Sequence, residues 1–369
     1  MTALILNKKN DILFMTKKSV LMIGTSFGTM GGISTVVNAY REAGLFNLCN
    51  ITYIATHSDG SKFKKLKLAL FSYLSFILAM LSFKYDIIHV HVSSRASFWR
   101  KSVFITIGKL LFRKKIIFHL HGSEFKVFFD EEITGFKKAI ALKIINMPDL
   151  IITLSESWKT WVENTVTSPR VIFIHNSICP ITKNKVVTKK RLQLLFLGRI
   201  GERKGAFDII EALAKDNLKH CNFELLMGGD GDLESAKSLV NKYNLQKKIK
   251  FIGWVRGEQK LKLLQESAIF LLPSYNEGMP MSLLEALASG LPIIASTVGG
   301  IPQQVSDGSE GFLVEAGDID LLNLRIHELL NNDDLQDRMA RACIEKFNSQ
   351  FSTSVVLPQL EKVYLELRR

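Results

Sequence analysis

The chain has 369 residues, enough for two domains of ordinary size with separate cores. Hydrophobic residues make up 47% and charged residues 22%, which excludes a disordered chain. The net charge of +13 is uneven: residues 1–190 hold 27 Lys and Arg against 11 Asp and Glu (+16), and residues 191–369 hold 21 against 24 (−3).

A basic first half points to an anionic partner. Nucleic acid is set aside, because no aromatic-interleaved basic motif, helix-turn-helix signature or zinc knuckle is present. Four cysteines, Cys49, Cys179, Cys221 and Cys343, lie far apart without CxxC spacing and are expected to be reduced thiols. No signal peptide is expected, since Lys8, Lys9 and Asp11 interrupt the short apolar start.

In chain order, SVLMIGTSF (19–27) reads as a strand entering a glycine loop, and TVVNAYREAG as the helix after it. NITYIAT (50–56) is a second strand. LALFSYLSFILAMLSF (68–83) is the most apolar stretch, preceded by Lys62, Lys64, Lys65 and Lys67. Its sixteen uncharged residues fall short of the roughly 20 that a spanning helix needs. Packing inside a domain is the first reading of it, an interfacial membrane helix the second. YDIIHVHVSS (85–94) and KKIIFHLHG (114–122) read as buried parallel strands, and DLIITLS (149–155) and RVIFIHNSI (170–178) complete the sheet.

A polar, lysine-rich stretch at 181–191 reads as a linker. The alternation then restarts with LQLLFLG (192–198), NFELLMGG (222–229), KIKFIGWV (248–255), AIFLLPS (268–274), LPIIAST (291–297) and GFLVEAGD (311–318). Strands alternating with helices predict two doubly wound α/β domains, at 1–180 and 192–350, with ligand loops at the carboxyl ends of their strands. A last helix at 351–369 exceeds what the second domain needs.

The most specific motif is SYNEGMPMSLLEALASGLPII (274–294). A strand ends at Pro273, a loop carries Glu277 and Gly278, and Pro280 opens a helix that Gly290 closes. Glu277 and Glu285 are thus presented eight positions apart around one helix start, as acceptors for hydroxyl groups. GRIGERKG (198–205) follows a strand and holds the cations Arg199 and Lys204 between glycines that allow close backbone approach. Arg203 is left out as a neighbour. In TMGGIS (29–34) the glycines Gly31 and Gly32 follow the first strand, although the dinucleotide spacing G-x-G-x-x-G is absent. HLHGSEF (119–125) places His121 at a strand end. Asp230 and Asp232 mimic a metal-binding D-x-D, but lie in the glycine-rich MGGDGDLE.

The 274–294 segment resembles the E-x7-E signature of the retaining glycosyltransferases of family 4, and the likeness extends over most of the chain. It implies the GT-B architecture: two Rossmann-like domains facing across a cleft, with the C-terminal helix crossing back to the first. It implies that Glu277 contacts the transferred sugar while Glu285 hydrogen-bonds the nucleotide ribose. Gly278 and Met279 present backbone to the donor, and Arg199 with Lys204 grips the diphosphate. Gly31 and Gly32 face the phosphates, and His121 hydrogen-bonds the donor sugar beside the anomeric centre. FIGWVRGEQ (251–259) resembles the nucleobase loop, with Gly253, Trp254 and Val255 nearest.

The reading that follows is a metal-independent, retaining hexosyltransferase without a cofactor. Its donor is a UDP- or GDP-sugar and its acceptor a lipid-linked oligosaccharide of O-antigen, capsule or exopolysaccharide biosynthesis. Peripheral attachment to the inner face of the cytoplasmic membrane, an anionic surface, is expected from the basic half. The rivals are a nucleotide-sugar epimerase of the same fold, marked by acceptor-independent turnover, and a non-catalytic nucleotide-sugar-binding subunit.

Overall fold

The computed structural model describes residues 19–181 and 190–367. Of the expected linker, residues 182–189 lie outside the described residues, as does the apolar start at 1–18. The chain divides into two units: one runs to His175 and resumes at Val356, and the other spans Asn176–Val355.

The first unit is built on a six-stranded parallel sheet of order β2-β1-β3-β4-β5-β6. Its strands are β1 (Ser19–Gly24), β2 (Ile51–Ala55), β3 (Tyr85–Val92), β4 (Lys115–Leu120), β5 (Leu150–Thr153) and β6 (Arg170–Phe173). Each lies inside an apolar run of the sequence. β3 and β4 read as near-continuous apolar runs because both faces are covered: Ile87, Ile88, Ile116, Ile117 and Phe118 are all fully buried. The sheet reverses direction of growth between β1 and β3, which places the glycine loop after β1 at that switch point.

The second sheet has the order β12-β11-β10-β7-β8-β9. Its strands are β7 (Gln193–Leu197), β8 (Glu224–Gly228), β9 (Ile249–Gly253), β10 (Ile269–Leu272), β11 (Ile293–Ser296) and β12 (Gly311–Val314). Here the switch point falls between β7 and β10. Hence the two motif loops, 198–205 after β7 and 273–280 after β10, leave the sheet side by side.

The C-terminal helix Thr353–Leu367 delivers its later residues to the first unit. Tyr364 is fully buried there, its hydroxyl 2.6 Å from His89 Nδ1, and Arg170 pairs with Glu366 at 2.9 Å.

One expectation is corrected. The helix Lys62–Leu81 is not enclosed by its domain: only Ser72, Phe76 and Met80 are buried, one residue per turn. Phe76 meets Phe104 edge-on at 5.1 Å, which ties the helix to its neighbour Ala96–Leu110. The opposite face carries Phe63 (86% exposed), Leu66, Leu70, Phe71, Leu74, Leu78 and Leu81 in the open. Composition alone favoured burial, because a run this apolar usually seeks a core. The sheet, however, offers this helix only one stripe of contact. No helix among the described residues is long and apolar enough to cross a membrane.

Candidate active site

In the second unit the site grows from the loop after β7. A 3-10 turn, Glu202–Lys204, ends on Gly205 at φ 66°, a left-handed conformation that favours glycine. A side chain at Gly205 would also meet the Pro273 carbonyl oxygen at 2.1 Å, so the loop can lie flat against the end of β10. One backbone bond and one side-chain bond fasten the two loops together: Tyr275 N–H donates to the Arg203 carbonyl at 2.9 Å, and Arg203 Nη1 donates to the Asn276 carbonyl at 3.2 Å. Arg203, set aside in the sequence, is therefore a clamp between the motifs.

This docking brings Lys204 to Glu277, 73 positions later in the chain, and the two form an ion pair. Both are sheltered, with side-chain exposures of 16% and 6%. Ser274 Oγ, fully buried, donates to the same Glu277 oxygen at 3.0 Å. From behind, the loop after β11 supports the carboxylate's backbone. Gly299 (φ 59°) sits where a Cβ would come within 1.8 Å of the Glu277 carbonyl oxygen, and Gly300 N–H donates to the Gly278 carbonyl at 2.8 Å. Arg199, on the same β7 loop as Lys204, is exposed and makes no hydrogen bond or ion pair among the described residues.

Gly278 and Met279 are buried, and Asn176 Nδ2 donates to the Met279 carbonyl at 3.1 Å. The helix Met281–Ser289 follows, with Pro280 at its N-cap and Gly290 left-handed at its C-cap. Its interior is buried almost all round, Glu285 included at 9% exposure. That carboxylate is met by Lys260 of the helix Gly257–Glu266 at 2.6 Å. Lys260 was not singled out in the sequence, where it reads as one of several surface lysines. Gly253, at φ 67°, turns the chain after β9, leaving Trp254 44% exposed and Val255 buried. Asp232 is used as a helix cap: its Oδ1 accepts from the Ser235 N–H at 3.0 Å, and the Ser235 hydroxyl, followed by that backbone bond, lowers its pKa. Asp230 accepts through its carbonyl, from Ile200 N–H at 2.6 Å. The Asp232 carboxylate thus has structural work of its own, whereas Asp230 is fastened through its backbone.

In the first unit, Gly31 and Gly32 are exposed at the start of the helix Gly32–Glu42. Ser34 Oγ donates to the Gly31 carbonyl at 2.8 Å, and Asn38 Nδ2 to the Phe27 carbonyl at 2.9 Å, which orders the loop from within the helix. His121 extends the β4 ladder, its N–H donating to the Val92 carbonyl at 2.8 Å. Three further histidines lie beside it. Because side chains alternate along a strand, His89 and His91 of β3 share a face, as do His119 and His121. Parallel pairing sets His91 opposite His119. His89, His91 and His119 are fully buried, and His121 is half-buried.

Their ring nitrogens include His89 Nε2 facing His119 Nδ1 at 3.1 Å and His91 Nδ1 facing His121 Nε2 at 2.8 Å. One ligand atom each from His89, His91 and His119 lies within 4.8 Å of the others. Their rings, however, are stacked at 16–29°. The facing nitrogens already engage one another in two pairs, His89 with His119 and His91 with His121, so the four rings form a column of two hydrogen-bonded pairs. Burial pushes His119 down to about 3, and burial with the neighbouring imidazoles holds His89, His91 and His121 well below the usual range. All four are neutral at pH 7. Beside them Lys101 is fully buried, its Nζ without a partner among the described residues, and burial followed by Arg100 lowers it to about 7.

Comparison with known proteins agrees with this layout. The model described as Glycosyl transferases group 1 matches residues 180–346, and that of Glycosyltransferase Family 4 matches residues 35–180. An uncharacterized glycosyltransferase of Methanocaldococcus jannaschii is 30% identical, over 71% of this chain and 72% of its own. The N-acetyl-alpha-D-glucosaminyl L-malate synthase of Bacillus anthracis is 25% identical, over 77% and 75%. Among solved structures, Anabaena HepE in complex with UDP-glucose superposes with a TM-score of 0.73 at 17% identity, covering 94% of this chain and 99% of that one. Two adjoining family models and a 30% identical relative, on two doubly wound units, lead to one conclusion: the chain belongs to the group 1 and family 4 glycosyltransferases of the GT-B fold.

Proposed function

We propose that the chain is a retaining hexosyltransferase that takes its sugar from a UDP- or GDP-sugar and passes it to a hydroxyl of a lipid-linked oligosaccharide. The observation that carries this reading is the Lys204–Glu277 pair at the β7/β10 switch point, with unpaired Arg199 on the same loop. As the glycosidic bond breaks, negative charge gathers on the departing diphosphate, and preorganised cations lower the barrier without a metal. Arg199 and Lys204 supply that charge. Glu277, anchored by Ser274 and Lys204, accepts hydrogen bonds from sugar hydroxyls. Glu285 accepts from the ribose, exchanging Lys260 for it or sharing it. His121 touches the sugar, and Gly31 and Gly32 leave room for the phosphates. Gly253, Trp254 and Val255 border the base. Retention follows from front-face attack by the acceptor, with the leaving phosphate taking the proton, as the family resemblance implies. The UDP-glucose held by Anabaena HepE supports a nucleotide-sugar donor here.

The acceptor side rests on the helix Lys62–Leu81. Its exposed apolar face and the lysines at 62, 64, 65 and 67 suit an anionic bilayer surface. We place the protein at the inner face of the cytoplasmic membrane, in assembly of O-antigen, capsule or exopolysaccharide. Incubation of purified protein with common UDP- and GDP-sugars, reading nucleotide release, tests the donor half. One donor should be hydrolysed slowly and turned over faster with lipid-linked acceptor. Interconversion of the sugar without acceptor would replace this reading by an epimerase.

A further inference from the structure

We propose that His91 is a positioning residue that fixes His121 in its Nδ1–H tautomer, so that His121 meets its ligand as a hydrogen-bond donor. The proposal rests on the reading of His121 as a sugar contact, and its first measurement does not depend on that reading.

The geometry leaves few choices. His91 Nδ1 and His121 Nε2 face each other at 2.8 Å, and a neutral pair must place one hydrogen between them. Two arrangements satisfy this. In one, His121 Nε2–H donates to His91 Nδ1, and the other His91 hydrogen position, Nε2, carries a hydrogen. In the other, His91 Nδ1–H donates to His121 Nε2, and His91 Nε2 is bare. His91 is fully buried, and its Nε2 has no hydrogen-bond partner among the described residues. A buried N–H without an acceptor is the rarer of the two defects in folded proteins. The bare nitrogen is therefore selected, and with it the hydrogen on His121 Nδ1.

The same reasoning runs down the column. His119 Nε2 is also buried and without a partner among the described residues. With that nitrogen bare, His119 Nδ1–H donates to His89 Nε2 at 3.1 Å, and His89 Nδ1–H donates to the Tyr364 hydroxyl oxygen at 2.6 Å. Contact of the His119 ring, tilted by 36° with its centroid 4.2 Å away, holds the His121 ring in place. All four imidazoles thus share one tautomer, and only His121 reaches the less buried end. A donor there suits a sugar oxygen. It also denies His121 a lone pair for attack on carbon or removal of a proton, because its Nε2 is already occupied.

Histidine nitrogen NMR on 15N-labelled protein decides the matter. Long-range proton–nitrogen correlations should show His121 Nδ1 as the protonated nitrogen and Nε2 as the bare one between pH 7 and 8. A protonated Nε2 on His121 would overturn the proposal. His91→Phe keeps an aromatic ring in the stack and removes the donor; the His121 tautomer should then become mixed. Turnover should fall roughly 10- to 100-fold with the donor KM little changed, the scale of losing a partner that orients a site residue. His91→Asn, whose amide nitrogen stands near the Nδ1 position, should recover most of that loss. If His91→Phe does not fold, the wild-type spectrum and His91→Asn still decide. If the tautomer is as stated but His121→Ala turns over at the parent rate, the sugar contact is wrong and the positioning by His91 stands. An unchanged His121 tautomer in folded His91→Phe would refute the role of His91.

Discussion

Glu277→Gln isolates the charge of the central carboxylate while keeping its shape. Glu277 is 6% exposed and accepts from both Lys204 and Ser274 through one oxygen. Glutamine still offers an acceptor to Ser274 but leaves Lys204, 16% exposed, without a counter-charge. Breaking a buried ion pair costs about 3–5 kcal/mol when no polar atom remains. With the amide oxygen in place and Lys204 partly solvated, about 2 kcal/mol is expected. For a unit the size of Asn176–Val355 this corresponds to a fall in its Tm of about 4–8 °C. Turnover should fall further than stability suggests, by at least about 100-fold, or about 2.7 kcal/mol of transition-state stabilisation. Calorimetry and donor hydrolysis with the single variants and the pair Lys204→Met/Glu277→Gln give both numbers. The double variant should be more stable than the summed losses allow, by about 1 kcal/mol or more, because no orphan charge remains. Additive losses within about 0.5 kcal/mol would refute the coupling, and parental turnover in Glu277→Gln would refute its contact with the sugar.

Glu285→Ala should weaken competition by free UDP or GDP more than it slows turnover at saturating donor; unchanged nucleotide affinity would end the ribose assignment. Arg199→Ala should leave thermal stability within about 0.5 kcal/mol, since the side chain is exposed, yet cut turnover by roughly 100-fold. Activity should survive EDTA, and a requirement for manganese would return attention to Asp230 and Asp232. Replacing Lys62, Lys64, Lys65 and Lys67 by glutamine should abolish flotation with anionic liposomes, each lysine being worth about 1 kcal/mol at such a surface. Flotation equal to the parent's would exclude this helix as the anchor. Lys101 has its folded-state pKa lowered to about 7, below its unfolded value of 10.5. The unfolded chain therefore binds more protons in that window, and stability should rise with pH between about 7 and 10. Lys101→Met should raise Tm at pH 7 and flatten that slope; a slope unchanged by the substitution would assign it elsewhere.

Much of this molecule is written locally. Inner strands such as β5, β10 and β11, buried at every position, lie in largely apolar runs, because a strand covered on both faces must be apolar at successive positions. Glu277, Glu285, Arg199 and Lys204 were legible for a similar reason: strand end, glycine turn and helix start follow one another along the chain. The partners of these residues were not legible. Lys204 meets Glu277 and Arg203 clamps Asn276 only because the sheet order places β7 beside β10, and Lys260 meets Glu285 only because the helices after β9 and β10 pack together. Strand order is a property of the packed sheet and leaves no periodicity in the sequence. The histidine column shows the same division. Alternation puts His89 with His91 and His119 with His121, but the register of β3 against β4 alone sets one pair upon the other. The helix Lys62–Leu81 shows it most plainly. Its sequence declares it apolar, yet which side would be buried, and how little of it, depended on how much surface the folded sheet had left to cover it.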